Sequence, residues 1–270
     1  MDVHAERGRN LYAGQGAGGT SEVQDFRATL FHFVKIKRSN NSRLIVLKMI
    51  DFNKRSIVIT EDGSSTLKLT DFEESYHSVH GAVNESLHVF IEAGLKACCQ
   101  EKVNLLEIGL GTGLNAILTL MNRGLKDIYY HGIEAYPLIE DEIKNINYQH
   151  FMSRKAYQCF LQMHLIPSGK MIEIDEGFSL KKSICRLEDI RLEEEFYDLV
   201  YFDAFSPALQ EELWRDEIFE KLYFSMRKNA ILTTYCAKGA VKRAMKRVGF
   251  DVFGLPGPPG KREITQCIKN

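Results

Sequence analysis

The segment LLEIGLGTGLNA, residues 105–116, has the residue types and spacing of a loop that holds a ligand. Apolar residues lead to Glu107, and glycine then follows at every second position, at Gly109, Gly111 and Gly113. Because glycine has no side chain, it tolerates positive φ angles and lets a backbone approach another molecule closely. We therefore expect this segment to hold a ligand against its backbone at the end of a strand.

The spacing of the glycines discriminates among three classes of ligand. A phosphate-binding P-loop requires a lysine directly after its last glycine, and none is present. The dinucleotide fingerprint has its third glycine three residues after the second, whereas the interval here is two residues. Glu-x-Gly-x-Gly-x-Gly is instead the pattern of S-adenosylmethionine (SAM) sites. A tight strand-to-helix turn without a ligand is the alternative interpretation.

Two acidic residues fit the charges and hydroxyl groups of SAM. SAM carries an ammonium and a sulfonium group but no phosphate, so Glu107 at the strand end can offset the ammonium, directly or through water. The next strand, in HGIEAYP, ends at Glu134, where a carboxylate can accept hydrogen bonds from the ribose hydroxyls. Asn115 and Ala135 adjoin these two motifs, and we predict that they also contact the cofactor.

Asp203 is the residue with the clearest potential to act on an acceptor. It follows five largely apolar residues in DLVYFDAFSP, and ligands of doubly wound sheets bind at the carboxyl ends of the strands. A carboxylate there could bind an amine, direct its lone pair toward a methyl group and take up a proton. Capping the next helix is the alternative role for Asp203.

The elements that must position these residues alternate between strands and helices, which predicts parallel β-α-β units in a doubly wound α/β sheet. The two last strands are joined by a short Pro/Gly loop and must therefore be antiparallel. A mostly parallel sheet with an antiparallel terminal strand is the Rossmann-like arrangement of class I SAM-dependent methyltransferases. The predicted helices cover residues 84–99 (with Asn84 as N-cap), 113–124, 137–151, 209–226 and 239–250, and two β-hairpins cover residues 55–70 and 170–185.

The first 48 residues differ from the rest in composition. GAGGTSEVQ is rich in glycine, and KIKRSNNSR is basic and polar. We predict that residues 1–48 are disordered or loosely attached, and a sharper hypothesis is that the natural chain starts at Met49. Residues 49–270 are then the methyltransferase domain, which begins with a hairpin and a helix.

Bulk composition limits the partners and the compartment. The chain of 270 residues is 44% hydrophobic and has a formal net charge of −1, so a nucleic-acid partner must be met by a local basic patch. No apolar run is long enough for a membrane span, and because the first residues have no apolar core we expect no secretory signal. The six cysteines form no C-x-x-C pair, which indicates reduced thiols in a cytoplasmic protein without a metal site.

Several motifs, in order along the chain, resemble one family. YHSVHGAVNESLHVFIEAGL, EIGLGTGLN, IEAYPL, DAFSP, ELW, TTYCAKGAVKRAMKRVGF and GPPGKREI look like the methyltransferase domain of MnmC and its stand-alone relatives, sometimes called MnmD or the DUF752 group. The resemblance covers about residues 56–269. It implies SAM-dependent methylation of the exocyclic amine of 5-aminomethyl-(2-thio)uridine at the tRNA wobble position.

The resemblance also implies roles for particular residues. Glu107, Glu134 and the three glycines would bind SAM, and Asp203 would face the substrate amine. Tyr76 and Ser78, in ESYHS, match an Asp-x-Tyr-Phe-Ser motif of some relatives, and we predict that they contact the substrate. Nothing in the chain resembles the oxidase domain that binds FAD, so the aminomethyl group would have to be made by other enzymes.

The chain departs from the family pattern where the adenine is expected to bind. Relatives usually carry Gly-Asp after the third strand, and the matching place here reads Cys185-Arg186. Glu188 or Asp189 could substitute for the missing aspartate, and we place Asp189 among the predicted cofactor contacts.

A basic stripe is the candidate surface for the anticodon region of tRNA. Four cations lie at helical spacing in VKRAMKRVGF, and two more follow a Pro/Gly loop, which together favour phosphate contacts over a merely solvated face. Phe205 could stack on the target base, as could Trp214, although core packing is the commoner role. The predicted tRNA contacts on the basic stripe and loop are Lys242, Arg243, Lys246, Arg247, Lys261 and Arg262.

Two other functions remain compatible with the residues. An aminopropyltransferase would use the same fold with decarboxylated SAM and an amine, but it needs several acids in the cleft, and the sequence indicates mainly Asp203. A catalytically silent module that binds SAM or RNA is the alternative from a different class.

Overall fold

A computed structural model describes residues 32–36 and 46–270. Strands β1 (His32–Ile36) and β2 (Val46–Ile50) pair in antiparallel fashion. The other residues of the segment 1–48 lie outside the described residues. Its loose attachment and the start at Met49 therefore stay predictions.

The predicted N-terminal hairpin is present. Strands β3 (Arg55–Ile59) and β4 (Ser65–Leu69) pair in antiparallel register around the turn at Asp62 and Gly63. The Asp62 carboxylate reaches the following helix, where its Oδ2 accepts a hydrogen bond from the Asn84 backbone N–H at 3.0 Å. Asn84 is therefore inside the first turn and is not the N-cap that the sequence predicted.

A sheet of eight strands forms the centre of the fold. Its spatial order is β11-β12-β10-β9-β5-β6-β8-β7. Strands β8, β6, β5, β9 and β10 are parallel, and β12 runs antiparallel to both of its neighbours, β10 and β11. In chain order the strands are β5 (Lys102–Ile108), β6 (Asp127–Glu134), β7 (Met171–Asp175), β8 (Phe178–Ile184), β9 (Tyr197–Phe202), β10 (Met226–Thr234), β11 (Phe250–Pro256) and β12 (Glu263–Lys269).

This topology confirms the predicted class I SAM-dependent methyltransferase fold. From β5 the chain moves outward to β6, continues through the edge strand β7 and back to β8, and then returns to β9 on the other side of β5. A crevice opens beside the carboxyl ends of the strands where the order reverses in this way. The carboxyl ends of β5, β6 and β9 therefore meet at the predicted ligand site.

Helices cover both faces of the sheet and bury two apolar clusters. The helices are α1 (Ala82–Ser86), which continues as a π-helical stretch (Leu87–Leu95), α2 (Leu114–Asn122), α3 (Glu140–Asn145), α4 (Arg154–Leu165), α5 (Asp216–Ser225) and α6 (Gly239–Val248). No helix in the described part of the chain is long and apolar enough to cross a membrane.

The helices differ from the sequence predictions in three places. The helix predicted over residues 137–151 is reduced to α3 (Glu140–Asn145) and a separate 3₁₀ turn (Tyr148–His150), because Ile146 has an extended backbone conformation. The helix predicted over residues 209–226 is divided at Arg215 into a 3₁₀ turn (Glu211–Trp214) and α5. Helix α4 was missed, although Ser153 caps it by accepting a hydrogen bond from the Ala156 backbone N–H. Its buried residues Ala156, Cys159, Phe160 and Met163 have the helical period that could have revealed it.

Candidate active site

A cavity of about 340 Å³ lies at the carboxyl ends of β5, β6 and β9, within the range of small-molecule sites. The structure brings to it nine of the residues that the sequence predicted: Tyr76, Ser78, Gly109, Gly111, Glu134, Ala135, Asp203, Phe205 and Lys261. Glu107, Gly113, Asn115, Asp189 and the predicted cations of α6 do not line it.

The glycine loop is required for close approaches within the protein as well as for ligand access. All three glycines have positive φ, at 84°, 52° and 75°. A Cβ atom on Gly109 would lie 2.4 Å from the backbone oxygen of Asp203, and one on Gly111 would lie 3.1 Å from the ring of Tyr76. Gly113 faces His164 instead of the cavity. The loop therefore lets the ends of β5 and β9 meet, and only its first two glycines reach the cavity.

Glu134 is held rigidly at the cavity wall. Its Oε2 accepts a hydrogen bond from the Gly111 backbone N–H at 2.7 Å, and its Oε1 accepts one from the Tyr136 backbone N–H at 2.7 Å. Each carboxylate oxygen can accept a further hydrogen bond. Glu134 therefore lies in the cavity wall with acceptor capacity to spare, and its contact with the ribose hydroxyls stays a prediction.

Glu107 lies beneath the cavity and is fully buried. Its Oε1 accepts a hydrogen bond from Asn115 Nδ2 at 2.9 Å, and its Oε2 accepts one from the Tyr130 hydroxyl at 2.8 Å. Burial raises the pKa of Glu107 well above its usual value. Glu107 does not line the cavity, and its predicted role beside the ammonium group, directly or through water, stays a prediction.

Asn115 connects this buried glutamate with Asp203. Its Nδ2 donates a second hydrogen bond, to Asp203 Oδ2 at 2.8 Å. Its Oδ1 is buried and has no hydrogen-bond partner among the described residues. Asn115 therefore orients the Asp203 carboxylate and links it to the buried Glu107.

Asp203 has the protonation behaviour of a proton acceptor near neutral pH. Burial, together with the nearby Glu85 carboxylate, raises the pKa of Asp203 to about 7, against the opposing influence of Asn115 and Lys261. A group whose pKa lies near the working pH is best suited to move a proton.

Arg55 is a site-building residue that the sequence analysis missed. All five of its N–H groups donate hydrogen bonds: to both carboxylate oxygens of Glu142, to the Tyr76 hydroxyl, and to the backbone oxygens of Tyr136 and Pro137, at 2.8–3.2 Å. The N-terminal hairpin is thereby tied to the segment that follows Glu134. An arginine in a hairpin strand gives no signal of this role in the sequence alone.

The expected adenine side of the cavity has Cys185 and Arg186 in its wall, followed by Leu187 and Glu188. Arg186 and Glu188 form an ion pair at 2.5 Å. Asp189 is exposed and outside the cavity wall. Of the two acids considered as substitutes for the missing aspartate, the structure therefore brings only Glu188 to the cavity.

The predicted basic surface is divided by the fold. On α6, Lys242 pairs with Glu263 at 2.9 Å, and Arg247 makes two contacts with Asp216, at 2.6 and 2.7 Å. Arg243, Lys246 and Arg262 are exposed. Lys261 points into the cavity, where it contacts Glu85. The surface available for phosphate contact is therefore smaller than the sequence indicated.

Aromatic residues near Asp203 have different roles. Phe205 lines the cavity and meets the ring of Tyr76 edge-on, with 5.0 Å between the ring centroids. Trp214 is buried in the core, and its indole N–H donates to the Phe205 backbone oxygen at 2.8 Å. Phe205 therefore remains the candidate for stacking, whereas Trp214 has the core role.

Acidic residues are more numerous in the cavity than the sequence indicated. Its wall includes seven carboxylates and two cations, Arg186 and Lys261. The expectation that Asp203 would be the main acid was wrong, because the acids come from separate segments that only the fold brings together. The seven acids are Glu73, Glu74, Glu85, Glu134, Glu188, Asp203 and Glu212.

Several features of this cavity fit SAM. The cavity offers Glu134 to hydroxyl groups and the backbone at Gly109 and Gly111 for close approach. Across residues 51–270, no group of three or more His, Cys, Asp or Glu side chains is placed to hold a metal. The fold and site define a class I SAM-dependent methyltransferase.

Comparisons with known proteins show similarity to a particular group of methyltransferases. Residues 150–270 match a family model described as S-adenosyl-L-methionine-dependent methyltransferase. The chain is 26% identical over 228 residues to the tRNA 5-methylaminomethyl-2-thiouridine biosynthesis bifunctional protein MnmC of Burkholderia thailandensis, an alignment that covers 77% of this chain and 34% of that protein. The resemblance to the MnmC methyltransferase domain is confirmed.

Solved structures agree on the fold. The crystal structure of MNMC2 from Aquifex aeolicus aligns with a TM-score of 0.63 and 23% identity, covering 79% of this chain and 70% of that one. Spermidine synthase from Thermotoga maritima aligns with a TM-score of 0.52 and 13% identity, over 88% and 78% of the two chains. The chain spans about a third of the length of the curated relatives that it matches.

Replacing Glu134 by glutamine is expected to weaken SAM binding about 10- to 100-fold, because a charge-assisted hydrogen bond of about 1.5–3 kcal/mol is lost. Isothermal titration with SAM measures the effect. Asp189→Asn makes the same chemical change at an exposed carboxylate outside the cavity, and its affinity should equal that of the wild type. Equal affinities of the Glu134→Gln variant and the wild type would contradict the assignment of Glu134.

Proposed function

We propose that the protein transfers a methyl group from SAM to the exocyclic amine of 5-aminomethyl-(2-thio)uridine at the tRNA wobble position. The observation that carries the proposal is Asp203, a carboxylate with a pKa of about 7 in the wall of the SAM cavity. The name of the MnmC relatives supports the choice of tRNA and of this base. A tRNA substrate also favours a cytoplasmic location.

The side chains provide the proton chemistry of this transfer. SAM, when bound, supplies a methyl group activated by its positive sulfur. A primary amine is mostly an ammonium ion at neutral pH, so it must lose a proton before its nitrogen can form a bond. Asp203 is placed to bind the ammonium and accept that proton, which frees the lone pair for attack. Asn115 holds Oδ2 of the carboxylate during this step.

The aromatic wall suits an unstacked base. Tyr76 and Phe205 both line the cavity, and Arg55 fixes the Tyr76 hydroxyl through a hydrogen bond of 2.8 Å. Bases of single-stranded RNA loops are commonly bound by stacking on aromatic rings. We infer that one of these rings contacts the wobble base while its aminomethyl group extends toward Asp203.

Mass spectrometry of tRNA nucleosides from a deletion strain tests the proposal. We expect 5-aminomethyl-(2-thio)uridine to accumulate, and purified protein with labelled SAM to methylate that tRNA. If 5-aminomethyl-(2-thio)uridine does not accumulate in the deletion strain, the proposal is overturned. Transfer from decarboxylated SAM to putrescine would instead support an aminopropyltransferase, a function that the seven cavity acids permit. Absence of SAM binding in a titration would support a silent module.

Charge reversal on α6 tests the route of tRNA binding. The sequence alone selects Lys246→Glu with Arg247→Glu, but Arg247 already pairs with Asp216. The double variant Arg243→Glu with Lys246→Glu is a more specific test of phosphate contact, because both side chains are exposed. We expect weaker tRNA binding, a smaller salt dependence and unchanged SAM affinity, because only phosphate contacts are lost.

The matched control for charge reversal is Arg154→Glu with Lys170→Glu. Both residues are exposed, and neither lies on α6 or in the cavity wall. If both double variants weaken tRNA binding equally at physiological salt, net charge is responsible and the assignment of α6 is wrong.

A further inference from the structure

Lys261 occupies an unexpected position in the cavity. It lies in the loop between β11 and β12, and its ammonium group contacts Glu85 Oε1. The same nitrogen lies 4.2 Å from the centroid of the Tyr235 ring. A carboxylate and an aromatic face are the groups that proteins use to hold alkylammonium ions.

Both groups that hold the lysine are themselves fixed beside Asp203. Glu85 is only 7% exposed, and its Oε2 accepts a hydrogen bond from the Ser78 backbone N–H at 2.6 Å. The Tyr235 hydroxyl donates to the backbone oxygen of Ala204 at 2.9 Å, one residue after Asp203. Glu85, Tyr235, Asp203 and Lys261 all line the same cavity.

We propose that Glu85, Asp203 and the ring of Tyr235 bind the primary ammonium group of the acceptor, and that the ammonium group of Lys261 occupies this subsite until the acceptor enters. The inference rests on the amine acceptor proposed above. A buried carboxylate is costly without a counter-charge, so Lys261 keeps Glu85 neutralised in the free protein. The side chain of Lys261 is 30% exposed and can leave toward solvent when a second ammonium arrives.

The electrostatics agree with this arrangement. Glu85 raises the pKa of Asp203 and Lys261 lowers it, so each acts on the proton acceptor. Asn115 also lowers the pKa of Asp203, and the same Nδ2 atom donates to the buried Glu107. When the acceptor displaces Lys261, its own positive charge takes over the neutralisation of the two carboxylates.

Three variants separate the roles of the residues in the subsite. The Lys261→Met variant removes the competing ammonium group. The Glu85→Gln variant removes one carboxylate but keeps an oxygen that can accept the hydrogen bond from the Ser78 N–H. The Lys238→Met variant is the control, because Lys238 is exposed and lies outside the cavity wall. Binding of n-propylammonium chloride is measured by ligand-observed NMR, with n-propanol as the uncharged reference. Melting temperatures confirm that each variant is folded.

We expect Lys261→Met to bind n-propylammonium more tightly than the wild type, and Glu85→Gln to bind it at least about tenfold more weakly, since a hydrogen bond to a charged group is lost. The Lys238→Met variant should bind n-propylammonium with the same affinity as the wild type. Weaker or unchanged binding in Lys261→Met would overturn the proposal.

Kinetics with tRNA that carries the aminomethyl group give a second readout. KM should fall in Lys261→Met and rise in Glu85→Gln, and the acidic limb of kcat/KM should move to higher pH in the first variant and to lower pH in the second. A loss of tRNA affinity and of salt dependence in Lys261→Met would instead show that Lys261 contacts phosphate. If the wild type transfers no methyl group to tRNA, the proposed function fails, whereas the n-propylammonium measurement still decides the subsite.

Discussion

Replacing Asp203 by asparagine is expected to reduce kcat for methyl transfer about 10²- to 10⁴-fold, the usual contribution of a positioned proton acceptor. Asparagine has nearly the same shape, and its side-chain oxygen can still accept the hydrogen bond from Asn115 Nδ2. It cannot take a proton from the acceptor ammonium. Single-turnover transfer of labelled methyl groups to tRNA measures the loss without interference from product release.

The kcat/KM of the same reaction is expected to depend on pH through the ionisation of Asp203. Asp203 must be ionised to accept a proton, and its pKa in the free protein is about 7. The kcat/KM of the wild type should therefore increase as the pH rises through about 7 and then level off. The residual kcat/KM of the Asp203→Asn variant should not show this increase with pH.

A matched variant shows whether the loss belongs to Asp203. Glu73→Gln makes the same change at another cavity acid, one that is exposed and pairs with Lys68. Its kcat should stay close to that of the wild type, and both variants should bind SAM normally. A fully active Asp203→Asn variant would contradict the proposed proton transfer.

Replacing Gly109 by alanine is expected to destabilise the protein by more than about 3 kcal/mol, because two separate penalties add. The residue has a φ of 84°, which disfavours any side chain, and the new Cβ would lie 2.4 Å from the Asp203 backbone oxygen. Neither β5 nor β9 can move away easily, since both are central strands of the sheet. Thermal and denaturant unfolding measure the loss.

Gly124→Ala is the control for the backbone penalty alone. Gly124 also has a positive φ, of 61°, but nothing lies within 4 Å of the position where its Cβ would be placed. The expected cost is about 1–2 kcal/mol, that of a left-handed backbone conformation. Equal destabilisation by the two variants would show that the contact between β5 and β9 is not tight.

The sequence was most informative where function depends on residues that are close together in the chain. The spacing of Gly109, Gly111 and Gly113 selected SAM, and Glu134 and Asp203 could be placed at the cavity because both end parallel strands. The hairpin at residues 55–70 and the antiparallel last strand followed from short turns. These inferences hold because strand ends and turn geometry depend on local residues.

The tertiary structure decided every feature that depends on side chains from distant segments. It placed Glu107 beneath the cavity and left Asp189 outside it, although both are acids near strand ends. It also brought Arg55 from the hairpin to the Tyr76 hydroxyl and to the segment after Glu134, and Lys261 from the last loop to Glu85. Sequence spacing establishes which residues share an element, whereas the direction and burial of a side chain depend on how the elements pack. For this protein the sequence alone determined the fold and the methyl donor, and only the packing of separate segments showed how the cavity could select an amine.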